Sequence, residues 1–373
     1  MAKDIKKYGQ ILGEYKAILL ASQQLKKAGL LKPLNLLKVE NEYNTQYQHY
    51  VKSSTDMKAL DKYMKKMHLL FEATADDIVE YVKSKSPKNC VNIINMSKSG
   101  LGSVKTTKSD LLIEIDDTKI DVSLKQYEKD SSIQLCSGTY LSTVCSLSFQ
   151  RIGNGKFQDL NGRQFLSRNL DDVKSVFASH YGTKAATLVQ QIKDLDEKYW
   201  HFRTMEVYPG DSVWLNTTKE VGQLAVLYIS QLMQIVSDKS ADLKQSLLER
   251  TGLDGEHEIL ITANCSSPKT YSTLTNMLLR KKIKSLNKSD TVIEVTTKGQ
   301  SVKFSFVNGT DTITSLLMPC TINKNGAWHI PKDGITEKYC NKSKLWIKPN
   351  HLRPKKAKEM YTSTNFYLDI KKL

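Results

Sequence analysis

Acidic and basic side chains alternate with apolar ones between Lys108 and Lys125, a spacing that places carboxylates and an amine on one side of two paired strands. In an extended chain successive side chains point to opposite faces. Asp110, Leu112 and Glu114 therefore share one face of a first strand, and Leu111, Ile113 and Ile115 share the other. On the return strand Asp121, Ser123 and Lys125 fall together, opposite Ile120, Val122 and Leu124, with Asp116, Asp117 and Thr118 supplying the turn. One face can bury, and the other carries carboxylates beside an amine. Hydrolysing a phosphodiester needs an activated water, neutralisation of charge developing on the phosphoryl oxygens, and help for the leaving alkoxide. One or two divalent metals supply all three. Magnesium asks for few carboxylate oxygens and keeps several waters, so two or three acids on rigid strands, with a lysine near the attacking water, form a sufficient set. Asp110 with Lys125 meets that minimum.

The elements around the hairpin are readable from periodicity. Up to about Ser84 the apolar residues recur at helical spacing, through Leu12, Tyr15, Ile18 and Leu19 and again through Leu60, Tyr63, Met64, Met67 and Leu70. Thr74 to Asp77 reads as the capped start of a helix carrying Ile78, Val79, Tyr81 and Val82, which Pro87 ends. Cys90 to Met96 reads as a strand, and the Ser-, Thr- and Lys-rich segment 97–107, with its two glycines, as a loop leading to the hairpin. After Lys125, Ser131 or Ser132 can cap a helix bearing Ile133, Leu135, Tyr140, Leu141, Val144 and Leu147, although its Ser, Thr and Gly content is unfavourable for one.

Helix, strand, Asp-bearing strand, x-Lys strand and helix, in that order, resemble the PD-(D/E)XK nuclease superfamily, the restriction-endonuclease-like fold. Ser109-Asp110 is similar to the Pro-Asp element, and Ser123, Leu124 and Lys125 to the acid-x-Lys element. The chain departs from that pattern at Ser123, where the family carries a carboxylate. The resemblance implies that Asp110 ligates Mg2+ or Mn2+, that Asp121 or Glu114 (or, beyond the lysine, Glu128) replaces the missing acid, and that Lys125 orients or activates water. It further implies an additional acid from the preceding helix, Glu80, and a phosphate- or water-holding glutamine at the start of the following helix, Gln134. It covers only about residues 74–149.

From Leu160 to Leu253 the pattern is mainly helical. A strong apolar run begins at Thr218, and strand-and-turn character interrupts it from Val207 to Leu215. From about Glu256 strands and turns dominate. Lys288 to Val295, followed by Ser301 to Lys303, copies the form of Lys108 to Ile115 followed by Ser123 to Lys125, and reads as a structural hairpin because more strand signals follow it. Arg280, Lys281 and Lys282 form a basic run that suits either a phosphate backbone or a solvated helix face. Near the C-terminus Lys344, Trp346, Lys348, Arg353, Lys355 and Lys356 combine cations with an aromatic face, as nucleic-acid contacts do. The seven histidines, His180, His201 and His329 among them, show no metal spacing, and Gly153 to Gly155 is a turn without the Gly-Lys-Ser/Thr of a phosphate loop.

The bulk composition agrees with a polyanionic partner. Lys and Arg number 55 against 39 Asp and Glu, a formal charge of +16, with a pI near 9.3. The six cysteines form no Cys-x-x-Cys pair, and no apolar stretch approaches a bilayer span. The expectation is an α/β protein with a restriction-endonuclease-like mixed sheet core flanked by helices. It has a helical N-terminal segment (1–73), a nuclease-like core (74–160), a mainly helical region (161–254) and an α+β C-terminal part with a basic tail (255–373). The expected activity is that of a cytoplasmic, Mg2+-dependent DNA endonuclease of restriction or phage type acting on duplex DNA, with a homodimer as one way to cut both strands and no membrane partner. The alternative is a catalytically inactive nuclease-fold DNA-binding or phage accessory protein, and a lysine-rich RNA- or protein-binding chain is a third reading.

Overall fold

The computed structural model describes residues 2–53, 57–96, 110–127, 132–148, 169–202, 212–239, 242–256, 258–263, 273–323, 328–329, 353–354 and 361–369. The chain is of mixed α/β class and divides into two compact units, each discontinuous in sequence. One comprises Met1–Ile133, Gly252–Asn287 and Ile370–Leu373, and the other Gln134–Thr251 and Lys288–Asp369. The linear segments 1–73 and 74–133 thus share one unit, and the segment from 255 onward is divided between both.

The first unit opens with four helices, α1 (Ala2–Lys27), α2 (Asn35–Ser53), α3 (Met57–Lys66) and α4 (His68–Lys85). In α1 the apolar residues Leu12, Tyr15, Ile18, Leu19 and Leu25 are buried, and two glycines let neighbouring helices approach. A Cβ at Gly9 would run into the ring of Tyr63, and one at Gly13 into the ring of Phe71. Helix α4 begins at His68, so Thr74 lies inside it rather than at its cap. There the Thr74 hydroxyl donates to the Leu70 carbonyl at 2.8 Å, the i−4 back-bond open to a threonine within a helix.

Strands β1 (Val91–Asn95), β2 (Leu111–Ile115) and β3 (Thr118–Tyr127) follow, and after the chain returns from the second unit β5 (Glu258–Ala263) completes a sheet of order β1-β2-β3-β5. The first three strands are antiparallel neighbours, while β5 lies parallel to β3. One sheet face presents Ile93, Leu111, Ile113, Val122, Leu124 and Leu260 to α1 and α4 residues including Ile18, Leu25, Ile78 and Val82, forming one continuous core. Helix α10 (Thr273–Leu286) flanks β5, where the Asn276 side-chain oxygen accepts the Ile261 N–H at 2.8 Å.

The second unit begins at Gln134. Residues 132–147 do not form one helix: β4 (Ser132–Gly138) is a strand, and helix α5 (Tyr140–Ser148) starts only after it. Buried Ile133 and Leu135 alternate with exposed Gln134, the period of a half-buried strand. Thr139 and Ser142 cap α5 reciprocally, the Ser142 oxygen accepting the Thr139 N–H at 3.0 Å and the Thr139 oxygen the Ser142 N–H at 3.4 Å. Four helices follow, α6 (Leu170–Tyr181), α7 (Thr183–Phe202), α8 (Ser212–Lys239) and α9 (Asp242–Thr251). Ser212 to Leu215 is thus helical rather than strand-like, and Val207 to Asp211 lie outside the described residues.

Strands β6 (Thr291–Lys298), β7 (Ser301–Asn308), β8 (Asp311–Asn323) and β11 (Tyr361–Asp369) join β4 in a five-stranded sheet of order β4-β11-β8-β7-β6. The short β9 (Trp328–His329) and β10 (Arg353–Pro354) pair with each other. Phe304, Phe306, Met318 and Phe366 are buried on the larger sheet, and α8 is tied to β6 by Gln234 and Ser237 donating to the Val295 and Ile293 carbonyls. Among the described residues no helix is long and apolar enough to cross a membrane.

Candidate active site

The β2–β3 hairpin fixes its own register. Leu111 pairs with Val122 and Ile115 with Thr118, leaving Asp116 and Asp117 as a two-residue turn. Asp116 has φ of 50°, the left-handed conformation a tight hairpin requires and an aspartate tolerates. The Asn89 amide steadies it, donating to the Asp116 carboxylate at 2.8 Å. With Leu111, Ile113, Val122 and Leu124 committed to the core, alternation sends Leu112, Glu114, Asp121, Ser123 and Lys125 to the opposite face.

Asp110 extends the ladder one step beyond β2. Its N–H donates to the Val122 carbonyl at 2.9 Å, and its carbonyl accepts the Met96 N–H at 3.0 Å. Its side chain then meets the return strand. Oδ2 accepts the Leu124 backbone N–H at 2.7 Å and the Ser123 hydroxyl at 3.1 Å. The Lys125 ammonium donates to the Ser123 oxygen at 2.7 Å and stands 3.9 Å from Asp110 Oδ2. Asp110, Ser123 and Lys125 therefore converge, with the hydroxyl between the two charges. Both charged side chains are 22% exposed, so the pair is neither freely solvated nor sealed.

The other acids expected around this point are placed differently. Asp121 lies on the same face one pleat away, across from Leu112, which makes it a diagonal neighbour of Asp110 at roughly 7–8 Å between backbones. Glu114 stands four residues from Asp110 along the strand, roughly 13 Å at strand rise, so it does not join Asp110. It accepts from the Asn92 amide at 2.8 Å and pairs with Lys119 at 3.6 Å. The Asn92 hydrogen bond, against some desolvation and helped by Lys119 and Lys32, holds its carboxyl below the usual range. Glu80 is exposed on α4. The acid that α4 turns to the sheet is Asp77, whose carboxylate accepts the Thr262 hydroxyl of β5 at 2.7 Å, on the core face rather than the face of Lys125. Its position i+3 from Thr74 and i−4 from Tyr81 puts it on the buried face of the helix, a spacing visible in the sequence, whereas Glu80 lies off that face. Gln134 belongs to β4 of the second unit, where its amide donates to Asn365 at 3.2 Å, and not to a helix following the hairpin. Glu128 lies outside the described residues.

The similar run near Lys288 forms the β6–β7 hairpin, with Thr296 opposite Lys303. Asp290 precedes β6 and is six residues from Thr296, roughly 20 Å along an extended chain, so this hairpin keeps its acid and lysine apart. Its turn, between Lys298 and Ser301, is placed so that the two sequence motifs fold out of register with each other.

Of the basic residues, Arg280 on α10 donates to Glu258 at 3.3 Å and lies 4.7 Å from the centre of the Tyr81 ring. Glu258 also pairs with Lys85 at 3.5 Å, and burial, then the Glu258 charge, pushes the Tyr81 phenol well above its ordinary range. Lys281 is exposed, and Lys282 is half-buried with its ammonium pushed down by burial. Arg353 pairs through its backbone with His329 in β10–β9, while Lys344, Trp346, Lys348, Lys355 and Lys356 lie outside the described residues.

Asp110, Ser123 and Asp121 offer hard oxygen donors on one face, which suits Mg2+ or Mn2+. Among the described residues no group of three or more His, Cys, Asp or Glu side chains is gathered as a metal cluster. Asp110 and Asp121 are the two carboxylates that this face could offer to such a cation. Comparison with protein-family models, with curated proteins and with solved structures gave no match.

Proposed function

We propose that the chain is a metal-dependent phosphodiesterase acting on DNA, with its reaction centred on Asp110 and Lys125. The observation that carries this reading is the convergence of the Asp110 carboxylate and the Lys125 ammonium on Ser123 across one hairpin. A helix precedes that hairpin and a parallel strand follows it in the sheet. The +16 charge supports a polyanionic substrate. Asp110 would anchor Mg2+ or Mn2+, with Asp121 as the second acid within reach, and the ion would supply charge neutralisation and an acidified water. Lys125, fixed by Ser123, would donate to the attacking water or to a non-bridging phosphoryl oxygen. The backbone N–H of Leu124 would hold the Asp110 carboxylate in orientation throughout.

Plasmid DNA incubated with the protein, with and without Mg2+, tests the reading. Cleavage should depend on the metal and fall about 10²- to 10⁴-fold in Lys125→Ala, the range for losing a proton-transferring group. Unchanged cleavage in that variant would remove Lys125 from the reaction. A second reading, a nuclease-fold DNA-binding protein that does not cut, is favoured by Ser123 standing where a carboxylate would complete the metal site. Steeply salt-dependent binding without nicks at any metal concentration would select it.

A further inference from the structure

We infer that a cavity between α1 and α2 of the first unit binds a guanine base, read along its Watson–Crick edge by Lys38, Glu42 and Gln46. The cavity has a volume of about 590 Å3, and Tyr15, Leu34 and Leu37 line it beside those three residues. That volume lies within the usual range for small-ligand sites. Its frame is fixed by Asn35, whose amide donates to the Ile93 carbonyl at 2.8 Å and whose oxygen accepts the Ile93 N–H at 3.0 Å. The first turn of α2 is thereby tied to β1. Leu34, just before that turn, has φ of 66°, a conformation that is costly for a leucine and that clusters at ligand-binding positions. Leu34 is 80% exposed and Leu37 56%, so apolar surface stands at the mouth of the cavity, where the flat face of a ring can rest.

Behind that mouth the wall is polar. Lys38, Glu42 and Gln46 form one i, i+4 row of α2, a row that lines the cavity while Val39 of the same helix enters the core. Lys38 is exposed, and Glu42 and Gln46 are half-buried. Burial pushes the Glu42 carboxyl up despite the neighbouring Lys38, and burial, then the Glu42 charge, pushes the Tyr15 phenol up to about 12. The Gln46 side-chain oxygen is buried with no hydrogen-bond partner among the described residues, an arrangement that costs stability until a donor meets it. Rotation of its side chain turns that oxygen into the cavity. The row then offers, in order, an ammonium donor, a carboxylate acceptor and a carbonyl acceptor. Of the four DNA bases only guanine presents the complement in that order, the O6 acceptor followed by the ring N–H and the 2-amino donors. Adenine and cytosine each set one amino group beside ring acceptors, and thymine sets one N–H between two carbonyls. The inference does not rest on the nuclease reading. A free nucleotide and an unstacked base of a strand present the same edge, and the +16 charge attracts the phosphate of either.

Isothermal titration calorimetry of the full chain without metal, using the deoxynucleoside monophosphates of guanine, hypoxanthine, adenine, cytosine and thymine, tests the assignment. Every ligand carries the same phosphate, so differences report the base. The guanine form should bind at least about 10-fold more tightly than the adenine form, within the discrimination expected of a bidentate contact. Hypoxanthine, which lacks the 2-amino group, should lose part of that gain, and Gln46→Leu should erase the difference between guanine and hypoxanthine. Glu42→Gln should abolish the preference for guanine; should that variant not fold, the wild-type series still decides. Fluorescence anisotropy of a labelled oligothymidine with and without one central guanine separates the two sources. A gain from that guanine assigns the cavity to a base within a strand, and a preference confined to the free monophosphate assigns it to a nucleotide. Equal binding of the guanine and adenine forms, with no gain from the central guanine, would overturn the inference, and so would a guanine preference that survives in Glu42→Gln. None of these measurements involves metal or cleavage, so that failure would leave the nuclease reading in place.

Discussion

Asp110→Asn separates chemistry from folding at the open end of the hairpin. The substitution keeps the shape of the side chain and an acceptor oxygen for the Leu124 N–H, now 2.7 Å away, but removes the charge. Hydrogen bonds to a charged acceptor contribute about 1.5–3 kcal/mol and neutral ones about 0.5–1.5. Neutralising the acceptor of two such bonds should therefore cost about 2–3 kcal/mol of stability, and the 22% exposure of the Asp110–Lys125 pair keeps its own contribution small. A protein with the usual 5–15 kcal/mol of stability would remain at least about 97% folded after that loss. Cleavage should respond far more. Losing an anionic anchor for the cation forfeits several kcal/mol of transition-state stabilisation, and ~4 kcal/mol corresponds to a rate reduction of about a thousandfold. Urea denaturation of the variant, run beside a plasmid-nicking time course, reads both quantities. Wild-type cleavage by Asp110→Asn would refute the assignment, and so would a loss of cleavage matched by an equal loss of folded protein.

Three further outcomes follow from the packing and the charges. Gly13→Ala gains helix propensity worth up to about 1 kcal/mol but drives a methyl group into the Phe71 ring, an overpacking that costs about 1–3 kcal/mol. The net should be a lower urea midpoint that Phe71→Leu partly restores, and a more stable Gly13→Ala protein would refute the close approach. Burial pushes the Cys145 and Cys320 thiols up to about 12 from an ordinary 9.0. The stability they contribute is full below pH 9 and lost as pH rises towards 12, so the alkaline fall in urea midpoint should flatten when both are replaced by alanine. Glu114→Gln removes a pairing with the exposed Lys119 and should leave both the urea midpoint at neutral pH and cleavage close to wild type. A large loss of cleavage there would return Glu114 to the site. Its carboxylate contribution, small as it is, should be present at neutral pH and disappear as pH falls below the ordinary carboxylate range, since its folded-state affinity for protons is depressed.

The hairpin was legible because every signal for it is local. Period-two alternation assigns Leu111, Ile113, Val122 and Leu124 to the core, and two consecutive aspartates mark a turn whose backbone an aspartate adopts without a glycine. What escaped the sequence was competition between equally local signals. Thr74 carries the side chain of a cap, yet its hydroxyl is satisfied inside α4 by the Leu70 carbonyl, so the helix runs through it. Ile133 and Leu135 fit helical and strand periods alike over so short a stretch, and pairing with another strand decided between them. The distribution of the chain between two units was beyond local reading altogether. Ile259, Leu260 and Ile261 are recognisable as a strand, but nothing in their own sequence names β3 as its partner.

That parallel pairing has a consequence for how the chain is made. Tyr127 and Glu258 end and begin the two strands, with 130 residues between them. At ribosomal speeds of about 5–20 residues per second, β3 emerges roughly 7–26 s before the strand that covers it. Throughout that interval its outer N–H and C=O groups form an open edge, able to recruit any extended segment nearby, while Ser123, Lys125 and Asp110 are held by the hairpin alone. Nascent chains paused within this interval should therefore be the form most in need of chaperone protection, and the half of the sheet that holds Asp110, Ser123 and Lys125 would acquire its final neighbour last.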